Sequence, residues 1–153
     1  MKLYILRHGD SVNANSDDER ILTEKGIMET EKVGIFLSHK NITVDTIYHS
    51  VKKRAYQTAS IISKYITSIN GLKEENGLKP NDNFLIWVDK VNKINNDIMI
   101  VGHLPFLNYF VSYLLGFQNT KVVDIPASGL ICLERNEENK MQIAWMIIPD
   151  LIP

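Results

Sequence analysis

The sequence predicts an α/β fold, a three-layer α/β/α sandwich with a mostly parallel central sheet and helices on both faces. Short apolar segments typical of buried strands, such as KLYILR at 2–7 and DIMIVG at 97–102, alternate with longer segments of helical periodicity. The chain has 153 residues, 44% of them hydrophobic, which is enough for one domain with a full-sized core. We therefore expect residues 1–153 to form a single domain.

The N-terminal half contains one further predicted strand and two predicted helices. The segment LTEKGIMETEKVGIFLSHK, at 22–40, predicts a helix that Thr23 caps, and Glu24 is favourable near its positive end. The segment VDTIYHS, at 44–50, is the second predicted strand. Residues 54–66 predict the clearest helix, because its apolar residues share one face: Ala55, Thr58, Ala59, Ile62, Tyr65 and Ile66.

The remaining segments complete the alternation. Residues 70–83 are rich in Asn, Gly and Pro and predict a loop with room for a short strand. A modest helix is expected at 84–95, and DIMIVG is the third strand. The segment FLNYFVSYLLG, at 106–116, predicts a helix that stops at its glycine. Finally, SGLICLE and MQIAWMII predict a closing hairpin across RNEENK.

Composition excludes several functional classes. The net charge of −1 lacks the basic excess of a nucleic-acid-binding protein, and the acidic runs at 17–19 and 137–138 are typical of solvated surface. Cys132, the single cysteine, cannot form an internal disulfide, and its GLICLER context predicts a buried strand residue. No signal-peptide cleavage site follows the first apolar run and no apolar stretch matches a bilayer, so we expect a cytoplasmic protein without membrane partners.

Basic side chains and imidazoles stand where the predicted strands end. Arg7 and His8 close the first strand, His103 follows the third, and Arg54 follows the second and opens a helix. Because parallel strands end at one edge of a sheet, we expect these side chains to gather there. Guanidinium forks and helix-terminal N–H groups suit phosphate oxygens, and an imidazole among them can attack phosphorus. The sequence therefore predicts a site for a phosphoryl group.

Each of these residues taken alone has a simpler structural explanation, as a surface ion-pair partner or a polar strand end. Their joint recurrence at strand ends favours the functional interpretation. His39, at a polar helix end, and His49, inside a strand, keep the structural interpretation. No spaced Cys, His and carboxylate set indicates a zinc site, and a P-loop and a GxGxxG turn are both absent.

Four ordered segments resemble the histidine phosphatase (phosphoglycerate mutase-like) superfamily. LRHGD resembles its RHG signature, and RILTEKG its Leu-Thr-x-x-Gly segment. DTIYHSVKKRAYQTA resembles its Ser-Pro-x-x-Arg-Ala-x-Gln-Thr segment, with Val51 where Pro is usual, and VGHLPFL resembles its second-histidine motif. The short length, the Asp after RHG and the His-Leu-Pro run are most similar to the small phosphohistidine phosphatase branch, SixA.

This resemblance implies a role for each matched residue. His8 would be the nucleophile, transiently phosphorylated, while Arg7, Arg54 and His103 would hold the phosphoryl oxygens and their growing charge. Nearby guanidiniums should keep a second proton off His8. Arg20 matches an arginine of the SixA branch that would reach the substrate, although the acidic run before it offers ion-pair partners. No metal or other cofactor is then required.

One departure from the superfamily bears on the substrate. Mutases and many esterases carry a glutamate that protonates the departing alkoxide, and here Gly77 aligns with that position. Four carboxylates are alternative proton donors, which the sequence cannot place relative to the site: Glu74, Glu75, Asp82 and Asp10. Phosphohistidine needs no such acid, because its imidazole departs as a neutral group. The short loops, moreover, leave little chain to enclose a small molecule.

Three functions follow, in order of preference. The first is a metal-independent phosphatase that acts through a phosphohistidine intermediate on phosphohistidine in a partner protein. The second is a broad phosphomonoesterase on a small phosphorylated metabolite, with Glu75 or Asp82 as the acid. The third is a phosphate-binding module without catalysis, which the intact set of nucleophile and arginines disfavours.

Overall fold

The computed structural model describes residues 1–153 and confirms the predicted fold class, with eight strands and four α-helices. No helix is both long and apolar enough to cross a membrane. In chain order the elements are β1 (Lys2–Arg7), α1 (Glu24–Ser38), β2 (Thr43–Val44), β3 (Ile47–His49), α2 (Lys53–Ile62), β4 (Thr67–Ser68), β5 (Leu72–Glu74), α3 (Phe84–Asn92), β6 (Ile98–Gly102), α4 (Phe106–Leu114), β7 (Leu130–Arg135) and β8 (Met141–Ile147).

The central sheet has six strands in the order β5-β3-β6-β1-β7-β8. The first four are mutually parallel, and β7 and β8 form the predicted antiparallel hairpin at the other side. The two-residue strands β2 and β4 pair separately, in parallel. The carboxyl ends of β3, β6 and β1 therefore lie side by side at one edge of the sheet, which is where ligands bind in such folds.

Both faces of the sheet are buried, because helices cover each of them. Along β1, Leu3 and Ile5 point into a core formed with α3 and α4, whereas Tyr4 and Leu6 point into a core formed with α1 and α2. This alternation explains why the strand is apolar at consecutive positions rather than at every second one. Cys132, on β7, is fully buried in the second core, as its context predicts.

The predicted helix bounds are wrong at the end of α2 and at the end of α3, which stops at Asn92 rather than at residue 95. Thr23 caps α1 as predicted, with its Oγ1 accepting from the Gly26 N–H at 3.0 Å. The helix α2 ends at Ile62, so Tyr65 and Ile66 lie beyond it. The chain must turn there, because β4 begins at Thr67 and pairs with β2. Tyr65 still packs on α1, through the space that a glycine leaves on that helix.

Candidate active site

Two histidines meet at the carboxyl edge of the sheet. Arg7 pairs with Gly102 in the parallel register of β1 and β6, so the next residue of each chain segment is His8 on one side and His103 on the other. The His8 N–H donates to the Gly102 carbonyl at 3.0 Å. The two imidazole ring centroids are 5.0 Å apart, with the rings inclined at 52°. The parallel register thus places both rings at a single site.

The ring of His8 is held in one tautomer. Its Nδ1 lies 2.7 Å from the Gly9 carbonyl oxygen, which can only accept, so Nδ1 carries the proton. Its Nε2 lies 3.3 Å from Arg54 Nε, which can only donate, so Nε2 presents a lone pair. Burial lowers the pKa of His8 to about 4, and the charges of Arg54 and Arg7 also lower it. The imidazole is therefore neutral at physiological pH, with Nε2 unprotonated.

Arg54, in the first turn of α2, is buried although it carries a full charge. Its Nη1 donates to the backbone carbonyl of Asp17 at 2.7 Å, and its Nη2 lies 3.3 Å from the Asp17 carboxylate. Burial lowers the pKa of Arg54, while Asp17 raises it. The guanidinium therefore links the lone pair of His8 to an anionic group on the loop that follows β1.

Arg7 and His103 hold nitrogens that have no hydrogen-bond partner within the protein. They are Arg7 Nε and both ring nitrogens of His103, all buried. Arg7 is anchored at its other end, where Nη1 donates to the Ile125 carbonyl at 3.0 Å. Burial, followed by the neighbouring His8 and Arg54, holds the pKa of His103 far below its usual value. Buried polar groups are normally paired, so these nitrogens fit a ligand that brings several oxygens.

Close packing of glycines positions the loop that carries His8. The Gly9 N–H donates to Thr58 Oγ1 on α2 at 3.0 Å. A methyl group on Gly9 would come within 2.8 Å of Thr30 Oγ1 and 2.9 Å of the Gly26 carbonyl. A methyl group on Gly26 would come within 2.1 Å of the Asp10 carbonyl. The glycines of the RHG and LTEKG segments are thus required because the two backbones touch.

Side chains of the same segments lock the loop further. Thr23 Oγ1 donates to Asp10 Oδ2 at 2.7 Å, and the Leu22 N–H donates to Gln57 Oε1 at 2.8 Å. Gln57 lies on α2, so the RHGD, LTEKG and RAYQT segments form one hydrogen-bonded unit. Their sequence signatures therefore have a packing explanation, besides any role in chemistry.

The structure brings together Arg7, His8, Arg54 and His103 but places Arg20 in an outer position. Arg20 Nε donates to the Val12 carbonyl at 2.9 Å, Nη2 donates to Ser11 Oγ at 2.9 Å, and Nη1 lies 3.3 Å from Asp17 Oδ1. Arg20 thus reaches the cluster through Asp17, as its acidic neighbours led us to expect, and makes no direct contact with His8.

The prediction that residues 17–19 are solvated surface is confirmed, because all three are exposed, but Asp17 and Asp18 also form ion pairs at the site. These two residues begin a 3₁₀ turn, Asp17–Glu19, and their carboxylates form ion pairs with Lys52, whose side chain is buried. Sequence reasoning missed both Asp17 and Lys52 as parts of the site. No periodicity signals them, because the contact joins residues on two loops that only the fold brings together.

The alternative proton donors are all engaged or exposed. Glu75 lies 3.1 Å from both Lys73 and Lys90. Burial would raise the pKa of Glu75, but hydrogen bonds from these two lysines outweigh it and lower the pKa. Asp82 accepts from the Lys79 N–H at 2.9 Å, which caps a turn. Glu74 is exposed on β5.

Gly77, which aligns with the missing acid, has a positive φ of 83°. A methyl group there would lie 3.4 Å from the indole nitrogen of Trp87. The position is therefore built for glycine, and the loop that holds it carries no free acid to the site.

The two histidines that the sequence analysis set aside lie outside the cluster, and so does the buried Ser128. His39 is exposed, and His49 is buried with Nδ1 2.9 Å from the Ser50 carbonyl. Ser128 is buried, and its Oγ lies 2.9 Å from Thr30 Oγ1. No group of three or more His, Cys, Asp and Glu side chains is arranged to hold a metal ion.

A family model described as histidine phosphatase superfamily (branch 1) matches residues 3–79, half of the chain. The chain belongs to this superfamily. The matched segment includes the loop of His8 and the first turn of α2 with Arg54. The protein is thus a hydrolase of the phosphatase type, and the predicted resemblance to the superfamily is confirmed.

Two relatives are similar in sequence over most of the chain. An uncharacterized protein of Picosynechococcus sp. is 28% identical over 142 residues, covering 87% of this chain and 84% of its own. The mitochondrial serine/threonine-protein phosphatase Pgam5 of Drosophila yakuba is 26% identical over 178 residues. That match covers 95% of this chain but 58% of the length of Pgam5.

Solved structures share the fold at low identity. The protein histidine phosphatase SixA, in complex with tungstate, superposes with a TM-score of 0.90 at 20% identity, covering 100% of both chains. A putative SixA from Agrobacterium tumefaciens gives 0.81 at 19% identity, covering 97% of each chain. A phosphoserine phosphatase from Entamoeba histolytica gives 0.70 at 18% identity, covering 95% of each chain.

Proposed function

We propose that this protein is a metal-independent phosphatase that transfers a phosphoryl group to His8 and removes phosphate from phosphohistidine on a partner protein. The observation that carries this proposal is the tautomer of His8. Its Nδ1 proton is bound to the Gly9 carbonyl, and its Nε2 lone pair faces the guanidinium of Arg54. An imidazole fixed in this way is a nucleophile that needs no base to activate it.

In the first step, the Nε2 lone pair of His8 forms a bond to phosphorus as the bond from phosphorus to the substrate's leaving nitrogen breaks. Arg7 and Arg54 bind the phosphoryl oxygens and offset their charge, and His103 donates one N–H. The substrate imidazole departs as a neutral group when its other ring nitrogen carries a proton. The catalytic power comes from positioned charges, because the step requires little covalent chemistry of the protein.

In the second step, a water molecule attacks phosphorus and the bond from phosphorus to His8 Nε2 breaks. The products are inorganic phosphate and the free enzyme, with the lone pair returned to Nε2. The Gly9 carbonyl keeps the proton on Nδ1 throughout, so His8 is neutral again when it leaves phosphorus. The cycle therefore consumes one water and restores the starting tautomer.

The substrate class follows from the carboxylates. Glu75 is ionised and paired with two lysines, and Gly77 stands where a proton donor would lie. A phosphomonoester releases an alkoxide, which needs a proton as it departs. Phosphohistidine releases an imidazole, which does not. The arrangement therefore supports a phosphoramidate substrate, and the similarity to SixA is consistent with a protein as its carrier.

A phosphomonoester substrate is the second candidate, and the comparisons favour it specifically. A phosphoserine phosphatase shares the fold, and a relative at 26% identity is described as a serine/threonine-protein phosphatase. In that case a carboxylate would have to leave its present partners and protonate the alkoxide. Glu75 and Asp82 are the residues to test.

The deciding experiment compares turnover of a phosphohistidine-bearing protein with turnover of p-nitrophenyl phosphate and of a sugar phosphate, all in EDTA. His8→Ala is the matched inactive variant, and His39→Ala, which alters an exposed histidine, is the control that should keep full activity. We expect the wild type to prefer phosphohistidine and His8→Ala to lose this activity. Both variants should bind inorganic phosphate and unfold at temperatures close to that of the wild type.

Three other outcomes would redirect the proposal. Preference for the sugar phosphate would establish the monoesterase and require a proton donor. Activity that survives in His8→Ala would exclude a phosphorylated His8. Phosphate binding without turnover of any substrate would support the third function, a phosphate-binding module without catalysis.

A further inference from the structure

The carboxylate of Asp17 is a ligand of two cations at the edge of the site. Its Oδ2 accepts a hydrogen bond from Lys52 Nζ and lies 3.3 Å from Arg54 Nη2. The Asp17 side chain is 52% exposed, whereas those of Lys52 and Arg54 are 8% and 3% exposed. An anion carried by a surface turn thus occupies a position between two buried cations.

Lys52 is an unusual residue to bury. It is the N-cap of α2, and its ammonium group also pairs with Asp18 at 2.6 Å. Burial alone would lower the pKa of Lys52, but hydrogen bonds to Asp17 and Asp18 outweigh it and raise the pKa. The neighbouring Lys53 is exposed and forms no ion pair. The ammonium of Lys52 therefore remains charged and is aimed at the anion position that Asp17 fills.

We propose that Lys52 is a further ligand of the substrate's phosphoryl group, and that Asp17 is an internal anion that holds its place until the substrate displaces it. This inference rests on the proposed function, because it assumes that the phosphoryl group binds at Arg54. It adds a fourth cationic or imidazole ligand to the set of Arg7, Arg54 and His103.

The geometry supports an exchange of one anion for another. An oxygen at the position of Asp17 Oδ2 receives hydrogen bonds from a guanidinium and an ammonium together, which suits a phosphoryl oxygen as well as a carboxylate. The phosphoryl group carries more charge and more oxygens than a carboxylate, and the buried nitrogens of Arg7 and His103 that have no partner are donors for its further oxygens. It can therefore replace Asp17 at Arg54.

The displaced carboxylate is free to move because of where it sits. Asp17 begins a 3₁₀ turn of three residues, none of them buried. Its other partner is Arg20, at 3.3 Å, which lies on the outer side of the cluster. Asp17 can thus stay paired with Arg20 while Lys52 and Arg54 bind the substrate.

Competition of this kind reduces the apparent affinity for the anion. The measured dissociation constant is the intrinsic one divided by the fraction of molecules in which Asp17 has left. Removing the charge of Asp17 should therefore tighten phosphate binding. Removing the charge of Lys52 should weaken it, even though that change also loosens Asp17.

The experiment measures the dissociation constant of inorganic phosphate by isothermal titration calorimetry at neutral pH. We expect Asp17→Asn to bind phosphate about tenfold more tightly than the wild type, because the competitor has lost its charge. We expect Lys52→Gln to bind about fivefold more weakly, and the double variant to lose most of the gain of Asp17→Asn.

The direction of the Lys52→Gln change decides between two roles. Tighter binding in Lys52→Gln would show that Lys52 only tethers Asp17, and it would overturn its assignment as a ligand. Weaker or unchanged binding in Asp17→Asn would overturn the competition, because it would mean that Asp17 orients Arg54. No phosphate binding by Asp17→Asn would overturn the inference as a whole.

Two controls isolate these effects. Glu19→Gln removes an exposed carboxylate of the same turn that forms no ion pair, and Lys53→Gln removes a neighbouring charge outside the cluster. Each should change phosphate affinity by less than about twofold. Thermal unfolding of every variant confirms that it is folded. Because phosphate binding requires no turnover, the result stands apart from the substrate test of the proposed function.

Discussion

The segments that follow β1 and β5 leave the sheet at the same edge, but their polar side chains differ in how they are paired. After β1, His8 presents a lone pair, and the end of the strand carries an arginine nitrogen without a partner. After β5, Glu75 is paired with two lysines and Asp82 caps a turn. One segment keeps its chemical groups available, whereas the other neutralises them. This difference supports the proposed function, because the first segment offers groups that can bind a phosphoryl group and the second offers no unpaired acid to protonate an alkoxide.

The largest effect is expected when the guanidinium of Arg54 is replaced by an ammonium, which keeps the positive charge but loses the paired N–H donors. Arg54→Lys loses the hydrogen bond to His8 and the second donor to the phosphoryl group. We expect turnover to fall about a hundred- to a thousandfold, because a positioned donor at developing charge contributes that much. Steady-state kinetics measures the change, with Lys53→Arg as the control. Activity within a few-fold of the wild type would show that Arg54 is not at the reacting phosphorus.

Protonation of the buried imidazole tests the same segment through stability. The pKa of His8 is about 4 in the folded protein, whereas histidine in an unfolded chain has a pKa of about 6.5. Between these values the unfolded chain binds more protons, so the free energy of unfolding decreases as the pH falls through this window. We expect His8 to account for about 3 kcal/mol of that loss.

Urea unfolding between about pH 7 and pH 4.5 checks this expectation. His8→Asn should show a shallower decline than the wild type, whereas His39→Asn, altered at an exposed histidine, should follow the wild type. Parallel curves for His8→Asn and the wild type would mean that His8 titrates normally in the folded state.

The packing that holds the β1 segment in place is tested at Gly26. The added methyl group of Gly26→Ala would overlap the Asp10 backbone, so helix α1 and the loop of His8 must separate. We expect a loss of about 1–3 kcal/mol in the free energy of unfolding, the usual cost of overpacking, together with reduced turnover. Chemical denaturation measures the loss. Met28→Ala, at an exposed position of the same helix, should change stability by less than about 0.5 kcal/mol.

The smallest effect is expected in the β5 segment. Glu75→Gln removes a carboxylate that the lysines already neutralise, so turnover of phosphohistidine should change by less than about twofold. The same variant assayed on a phosphomonoester tests whether Glu75 protonates the leaving alkoxide. A sharp fall in that assay would identify Glu75 as a proton donor and favour the second candidate function.

Local patterns were enough to predict most of the fold. Some features depend only on residues close in sequence, so the sequence alone predicts them. They are the apolar runs of β1 and β6, the cap at Thr23 and the stop at Gly116. The convergence of His8, Arg54 and His103 was predictable as well, because parallel strands must end at a common edge. The end of α2 was not, since the pairing of β4 with β2 sets it.

The sequence by itself determined the α/β architecture and the set of residues at the sheet edge, because periodicity and strand direction fix them. The tertiary structure alone decided the tautomer of His8 and the pairing of Glu75 with its lysines. It also decided that an acidic turn lies over the site, through an ion pair between Asp17 and Lys52, which are 35 positions apart. Charges pair across space rather than along the chain, and composition does not record which of them meet.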